Sequence, residues 1–288
     1  MSSNSVNIFR FAPSPNGAMH LGHAYSALLN YELAKQTGGK FLVRIEDIDQ
    51  ERCTPQNETR MLEDLLWLGL EWEEPPTRQS TRFDCYKHTL RSLEKRGLIY
   101  PSFMSRADVK AFGKANPDWL RDPDGALIYP GQERDWSEAQ RQAELKKGTP
   151  ANWRLDMCKA LADLPISNAE AWGDVVLARK DTPTSYHLAV VVDDAAQHVT
   201  HIVRGMDIKP ATELHKLLQK LLELPEPTYV HHRLVLDNDG KKLSKSRQSL
   251  SIAALRSEGY TPQNIKKMID WDDAEVETII RSWSQAET

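Results

Sequence analysis

The chain has 288 residues, 40% of them hydrophobic and 27% charged, with a formal net charge of −4. That length carries one large domain or two small ones around a sizeable core, and the apolar fraction excludes a disordered chain. The mild acidity excludes a protein that coats nucleic acid by bulk charge, while leaving room for a local basic face. The apolar stretch Leu188-Ala189-Val190-Val191-Val192 is too short to span a bilayer, and Met1-Ser2-Ser3-Asn4-Ser5 lacks the pattern of a secretory signal. Cys53, Cys85 and Cys158 are odd in number and far apart, against both a disulfide framework and a Cys-rich metal site. The expectation is a cytoplasmic globular protein with no membrane partner.

Residues 6–12 read as a first strand, stopped by the turn cluster Pro13-Ser14-Pro15-Asn16-Gly17. Residues 24–36 carry Leu28, Leu29 and Leu33 at helical spacing and end at Gly38-Gly39, a C-cap signal. Residues 40–45 read as a second strand. This succession is a βαβ unit and predicts a parallel α/β sheet. Thr54-Pro55 supplies a capping hydroxyl and a first-turn proline for a helix whose apolar positions run to Gly69. Another helix is predicted over 83–96. The stretch from Tyr100 to Tyr186 is loop-rich, with short strands near 152–155 and 175–178, and reads as an inserted subdomain. Strand patterns return at 188–192 and 199–203. A helix follows over 210–224, and 252–282 are helical by pattern.

Two motifs carry chemistry. His20-Leu21-Gly22-His23 lies after a turn and at the start of the helix that follows the first strand. Free backbone N–H groups and the positive helix end make that place an anion site, and two imidazoles can donate to phosphate oxygens. Alone, the four residues read equally well as a helix cap. Lys241-Lys242-Leu243-Ser244-Lys245-Ser246 follows the turn Asp237-Asn238-Asp239-Gly240. Lys242 and Lys245, three apart on a short loop, can offset phosphate charge in a transition state. Alone, such a run is more often a solvated basic loop.

Together and in this order, the motifs resemble the HIGH and KMSKS signatures of class I aminoacyl-tRNA synthetases, with Leu21 for Ile and Leu243 for Met. The surroundings resemble the glutamyl branch: Arg10-Phe11-Ala12-Pro13-Ser14-Pro15 with Gly17, Arg44-Ile45-Glu46-Asp47 with Asp49, Tyr186, residues 191–194, Thr200-His201 and Val203-Arg204-Gly205. The 42 residues after Ser246 are fewer than that branch's anticodon-binding region requires. The chain therefore resembles the glutamyl-queuosine tRNA(Asp) synthetases, which lack that region, and Val190 favours the same subgroup.

The resemblance implies an α/β fold: a Rossmann-like class I synthetase catalytic domain (1–99 and 187–247), an inserted α+β subdomain (100–186) and a short helical C-terminal segment (248–288). It implies activation of L-glutamate with ATP in the absence of tRNA, then transfer to the queuosine base at the wobble position of tRNA(Asp), by a monomer. His20 and His23 fall to the ATP phosphates, Gly22 to close approach of the adenosine, and Lys242 with Lys245 to the leaving pyrophosphate. Mg²⁺ is expected with the nucleotide. Arg10 and Arg204 suit the glutamate carboxylates, because guanidinium pairs them bidentately. Glu46 suits the ammonium, Tyr186 adds a polar contact, and Ala12 and Ser14 stand beside Arg10. An ion pair between Arg10 and Glu46 on neighbouring strands is compatible with this assignment.

Many members of the branch hold zinc through three cysteines and a tyrosine. The aligned positions here are Ser102, Met104, Tyr129 and Glu133, so no structural zinc is expected, and packing around Phe103, Trp119, Tyr129 and Trp136 must hold the insertion. Asp47 and Asp49 fit a turn after a strand at least as well as a metal pair, and are assigned to no metal. Asp193-Asp194 is expected to end a buried strand at the ligand crevice. His231-His232 lies beside ATP or at a strand edge, and Arg233, Lys241, Lys242, Lys245 and Arg247 form a basic cluster for tRNA phosphates. Competing readings are a truncated glutamyl-tRNA synthetase, a related nucleotidylyltransferase and a non-catalytic tRNA-binding paralogue.

Overall fold

The computed structural model describes residues 6–162, 164, 166–236 and 251–286. In chain order come β1 (Ile8–Phe11), α1 (Leu21–Gln36), β2 (Lys40–Ile45), α2 (Pro55–Trp67) and β3 (Thr77–Arg78). Next are α3 (Phe83–Lys95), β4 (Ile99–Ser102), α4 (Arg106–Ala115), α5 (Glu138–Lys146), β5 (Asn152–Leu155), α6 (Met157–Ala162), β6 (Val176–Ala178) and α7 (Tyr186–Ala196). The remainder is β7 (His201–Gly205), α8 (Ala211–Leu221), β8 (Thr228–His232), α9 (Ile252–Ser257), α10 (Pro262–Met268) and α11 (Asp273–Ala286). The chain divides into two compact units: Met1–Ser80, His198–Lys209 and Pro227–Thr288 in the first, Thr81–Gln197 and Pro210–Glu226 in the second.

The first unit is built on a parallel sheet of order β3-β2-β1-β7-β8. The chain winds outward from β1 in one direction and from β7 in the other, so the order reverses between those two strands. In open α/β sheets, ligands bind at such a switch point, outside the carboxyl ends of the strands. The local signals act as expected. Gly38, at φ +62°, takes the left-handed position after α1, and Gly39 N–H closes back on Ala34 O at 2.8 Å. Thr54 Oγ1 accepts from Asn57 N–H at 3.2 Å, with Pro55 opening α2.

The C-terminal helices belong to the core of this unit. Ile252, Leu255, Ile265, Ile269 and Val276 are buried in the same cluster as Phe9, Tyr25 and Leu28. Tyr25 O–H donates to Glu275 of α11, and Trp283 packs on Phe9 and His201.

The second unit holds an antiparallel sheet of order β4-β5-β6. Here one sequence expectation fails. The run at 188–192 is not a strand; it lies inside helix α7, and Tyr186 opens that helix rather than a strand. The strand expected at 199–203 falls at His201–Gly205. Leu188, Ala189, Val190 and Val191 are all buried, and a short apolar run wrapped on every side has no periodicity to separate helix from strand. Asp193 therefore does not end a strand at a ligand crevice. It is fully buried on α7, accepting from Arg82 Nε at 2.6 Å and Tyr86 O–H at 2.6 Å.

The four positions aligned with a zinc site carry a different chemistry. Tyr129 O–H donates to the Glu133 carboxylate at 2.7 and 2.8 Å, and Glu133 also accepts from Phe103 N–H at 3.0 Å. The Arg154 guanidinium lies 3.7 Å over the Tyr129 ring and donates to Ser102 Oγ at 3.0 Å. A carboxylate already bonded to a phenol and a backbone N–H, beside a half-buried cation, does not fit a zinc ion. Phe103 stacks on Trp136 and Tyr129 is buried, as expected, but Trp119 is 38% exposed and packs only edge-on against Phe112 among the rings.

Candidate active site

The carboxyl edge of the first unit's sheet gathers most of the residues singled out in the sequence. His20 is the N-cap of α1: its Nδ1 accepts from Gly22 N–H at 3.1 Å, while His23 Nδ1 accepts from His20 N–H at 3.2 Å. The two rings stack at 3.8 Å. The motif is thus a reciprocal cap, and the cap has a chemical consequence. With both Nδ1 atoms accepting, each neutral ring carries its proton on Nε2, so Nε2 is the donor of each ring. A Cβ at Gly22 would lie 3.1 Å from the His20 ring, a tight fit that would press on the cap.

Arg10 sits in β1 and Arg204 in β7, the two strands that flank the switch point, and both are buried. The Arg204 guanidinium lies 5.2 Å from the Tyr229 ring centre, a cation–π contact from β8. Ala12 and Ser14 lie in the loop after β1, and Ser14 Oγ meets Cys53 Sγ at 3.4 Å. Glu46 follows β2 directly, with its N–H donating to Pro13 O at 3.0 Å, which ties the loops after β1 and β2 together.

Arg44, quoted in the sequence only as part of the glutamyl-branch signature, is a residue to which sequence reasoning assigned no role. Fully buried in β2, it donates from Nη2 to Glu46 Oε1 at 3.2 Å and so orients that carboxylate. The signal was a lone charge inside the otherwise apolar strand Phe41-Leu42-Val43-Arg44-Ile45. Asn30 is a second: buried on α1, it donates to Val203 O at 3.0 Å and fixes the helix against the strand of Arg204.

Asp47 and Asp49 behave as turn residues. Asp47 accepts from Ser80 N–H and Oγ, and Asp49 from Arg52. No group of three metal-ligating side chains occurs among the described residues. His232 is buried at the end of β8, its Nδ1 bonded to Arg233 O at 2.8 Å, and burial lowers its pKa. Arg233 donates to Ile269 O and Asp270 O at the end of α10, so its guanidinium holds a helix terminus. Tyr186 stands in the second unit at the start of α7. Lys241, Lys242, Lys245 and Arg247 lie outside the described residues. No described helix is long and apolar enough to cross a membrane.

Comparison with known proteins agrees with this architecture. The family of class I tRNA synthetases (E and Q), catalytic domain, matches residues 6–280. A glutamyl-Q tRNA(Asp) synthetase of Rhodobacter capsulatus is 42% identical over 91% of this chain and 99% of its own length. One from Symbiobacterium thermophilum is 37% identical over 89% and 83%. The glutamate–tRNA ligase of Aquifex aeolicus is 34% identical over 92% of this chain but 58% of its own. The crystal structure of a glutamate–tRNA synthetase from Elizabethkingia anophelis superposes with a TM-score of 0.77 at 28% identity, over 93% of this chain and 61% of that one. The chain thus spans about three fifths of the length of these two longer relatives. Fold, strand order and similarity agree: the chain belongs to the class I tRNA synthetases of the glutamate and glutamine branch.

Proposed function

We propose that the chain activates L-glutamate with ATP in the absence of tRNA and transfers it to queuosine in tRNA(Asp). The observation that carries this reading is similarity over 99% of the length of a glutamyl-Q tRNA(Asp) synthetase. In activation a glutamate carboxylate oxygen bonds to the α-phosphorus as the bond to the β-phosphate bridge breaks, and pyrophosphate leaves. No enzyme nucleophile is needed, so catalysis is positioning and charge stabilisation.

In this reading His20 and His23 donate Nε2–H to the phosphates, while Gly22 lets the adenosine approach. Lys242 and Lys245 offset the charge of pyrophosphate, and Mg²⁺ accompanies the nucleotide as a further counter-charge. Arg10 and Arg204 take the glutamate carboxylates from strands on either side of the switch point. Glu46, held by Arg44, takes the ammonium. Ala12 and Ser14 line the same loop, and Tyr186 enters as the glutamate contact that the resemblance implies.

The test is pyrophosphate exchange with ATP and glutamate and no tRNA, with aspartate and glutamine as controls, followed by transfer of labelled glutamate to queuosine-containing tRNA(Asp). Exchange with glutamate alone and transfer to that tRNA are expected, and Lys245→Ala abolishes exchange while leaving tRNA binding intact. Exchange that waits for tRNA(Glu) would instead identify a truncated glutamyl-tRNA synthetase.

A further inference from the structure

The sheet edge that carries Glu46 also opens into a cavity of about 490 Å³, which no step of glutamate activation uses. Its walls include Asp47, Cys53, Glu58, Thr59, Arg78 and Ser80. They come from the carboxyl ends of β2 and β3 and from the first turns of α2. Glu58 accepts from Arg78 Nε at 2.8 Å, so those two charges offset each other. Asp47, only 9% exposed, is the remaining charge and makes the cavity negative. Its two bonds from Ser80, at 2.8 and 2.6 Å, fix the carboxylate yet use half of its capacity to accept.

Such a cavity repels phosphate and attracts a cationic group. Its volume suits a nucleoside-sized ligand and is far too small for a duplex. Its position matters as much as its charge. Cys53 of the cavity wall donates to Glu46 O at 3.8 Å and meets Ser14 Oγ at 3.4 Å, so a ligand in the cavity lies beside the loops assigned to glutamate. A group that is to accept activated glutamate must lie there.

We propose that this cavity receives the acceptor nucleoside of the tRNA, unstacked from its neighbours, and that Asp47 selects one whose side chain carries an ammonium and hydroxyl groups. The inference rests on the function proposed above. Queuosine has that chemistry, with a secondary amine and a vicinal diol on a deazaguanine, whereas guanosine brings no cation. Unstacking costs a few kcal/mol, which contacts in a fitted cavity offset.

Two variants test the assignment. Thr59→Trp places a large ring at the mouth of the cavity from an exposed position on α2, leaving Asp47 and its bonds in place. It is expected to keep glutamate-dependent pyrophosphate exchange and to lose about tenfold or more in glutamylation of queuosine-containing tRNA(Asp). Asp47→Asn keeps the shape and removes the charge. The ratio of transfer to exchange is expected to fall about tenfold, with the KM for the tRNA raised, as suits loss of a charge-assisted bond. Wild-type transfer by both variants would overturn the proposal, as would exchange and transfer falling together in both. Absence of exchange in the unmodified protein would instead remove the functional reading on which the proposal stands.

Discussion

At the scale of single residues, the histidine motif shows why structure and chemistry need separate tests. His20 caps α1 and also presents a fixed Nε2–H, so its removal mixes two losses. Asparagine is a good N-cap but cannot present that donor. His20→Asn is therefore expected to melt near the unmodified protein while losing about 100-fold or more in pyrophosphate exchange, as for other donors to a developing charge. His20→Ala is expected to lose the same activity and a further ~1 kcal/mol of stability. Thermal unfolding and exchange measured on both variants separate the roles; equal melting temperatures for the two would show that the cap bond stabilises little. The motif itself was legible because its residues are adjacent in sequence. The placing of Arg10 beside the strand of Arg204 was not, since β1 and β7 pair across nearly two hundred residues and nothing local encodes that contact.

At the scale of elements, legibility followed the local signals. β2 and the start of α2 fall where a short apolar run after Gly38-Gly39, a capping threonine and a proline put them. β3, with two residues, is too short to show a period, and the buried run Leu188-Ala189-Val190-Val191 in α7 shows none. What α7 does show is a buried carboxylate between Tyr86 of α3 and Arg82 just before it. Asp193→Asn leaves Arg82 without its counter-charge, and we expect a loss of about 2–4 kcal/mol in urea unfolding. Asp84→Asn on α3, whose side chain is 97% exposed, is expected to change stability by less than about 0.5 kcal/mol.

A second carboxylate, Asp64 on α2, is almost fully buried and faces Arg256 of α9 at 3.4 Å, with Glu63 alongside. Burial raises its pKa to about 6, against an ordinary value of 3.8, although Arg256 pulls it down. The folded chain thus holds this proton more tightly than the unfolded one. The stabilisation is complete below about pH 4 and lost as pH rises through about 6. Asp64→Asn should flatten that part of the stability profile, and urea midpoints at pH 4.5 and 7.5 that move in parallel in both proteins would contradict it.

At the scale of the molecule, the helices after residue 250 pack as interior parts of the catalytic unit rather than as an appendage. Ile252 N–H donates to Met19 O at 2.9 Å, and Ser251 bridges to His20, so α9 is tied to the segment that leads into the histidine cap of α1. Five buried aliphatic residues from α9, α10 and the segments after them share a core with β1 and α1. Truncating one such residue to alanine costs roughly 2–5 kcal/mol, against a total stability of about 5–15 kcal/mol for a typical domain. Ile265→Ala is therefore expected to remain folded with a clearly lowered melting temperature, whereas a fragment ending at residue 250 is expected to show no cooperative transition and no glutamate activation. The fragment exposes the apolar faces of α1 and β1 and also frees the backbone next to His20, so stability and activity are lost for one reason. A fragment that melted cooperatively and retained exchange would show that the sheet and α1 suffice, and that the C-terminal helices only cover what is already stable.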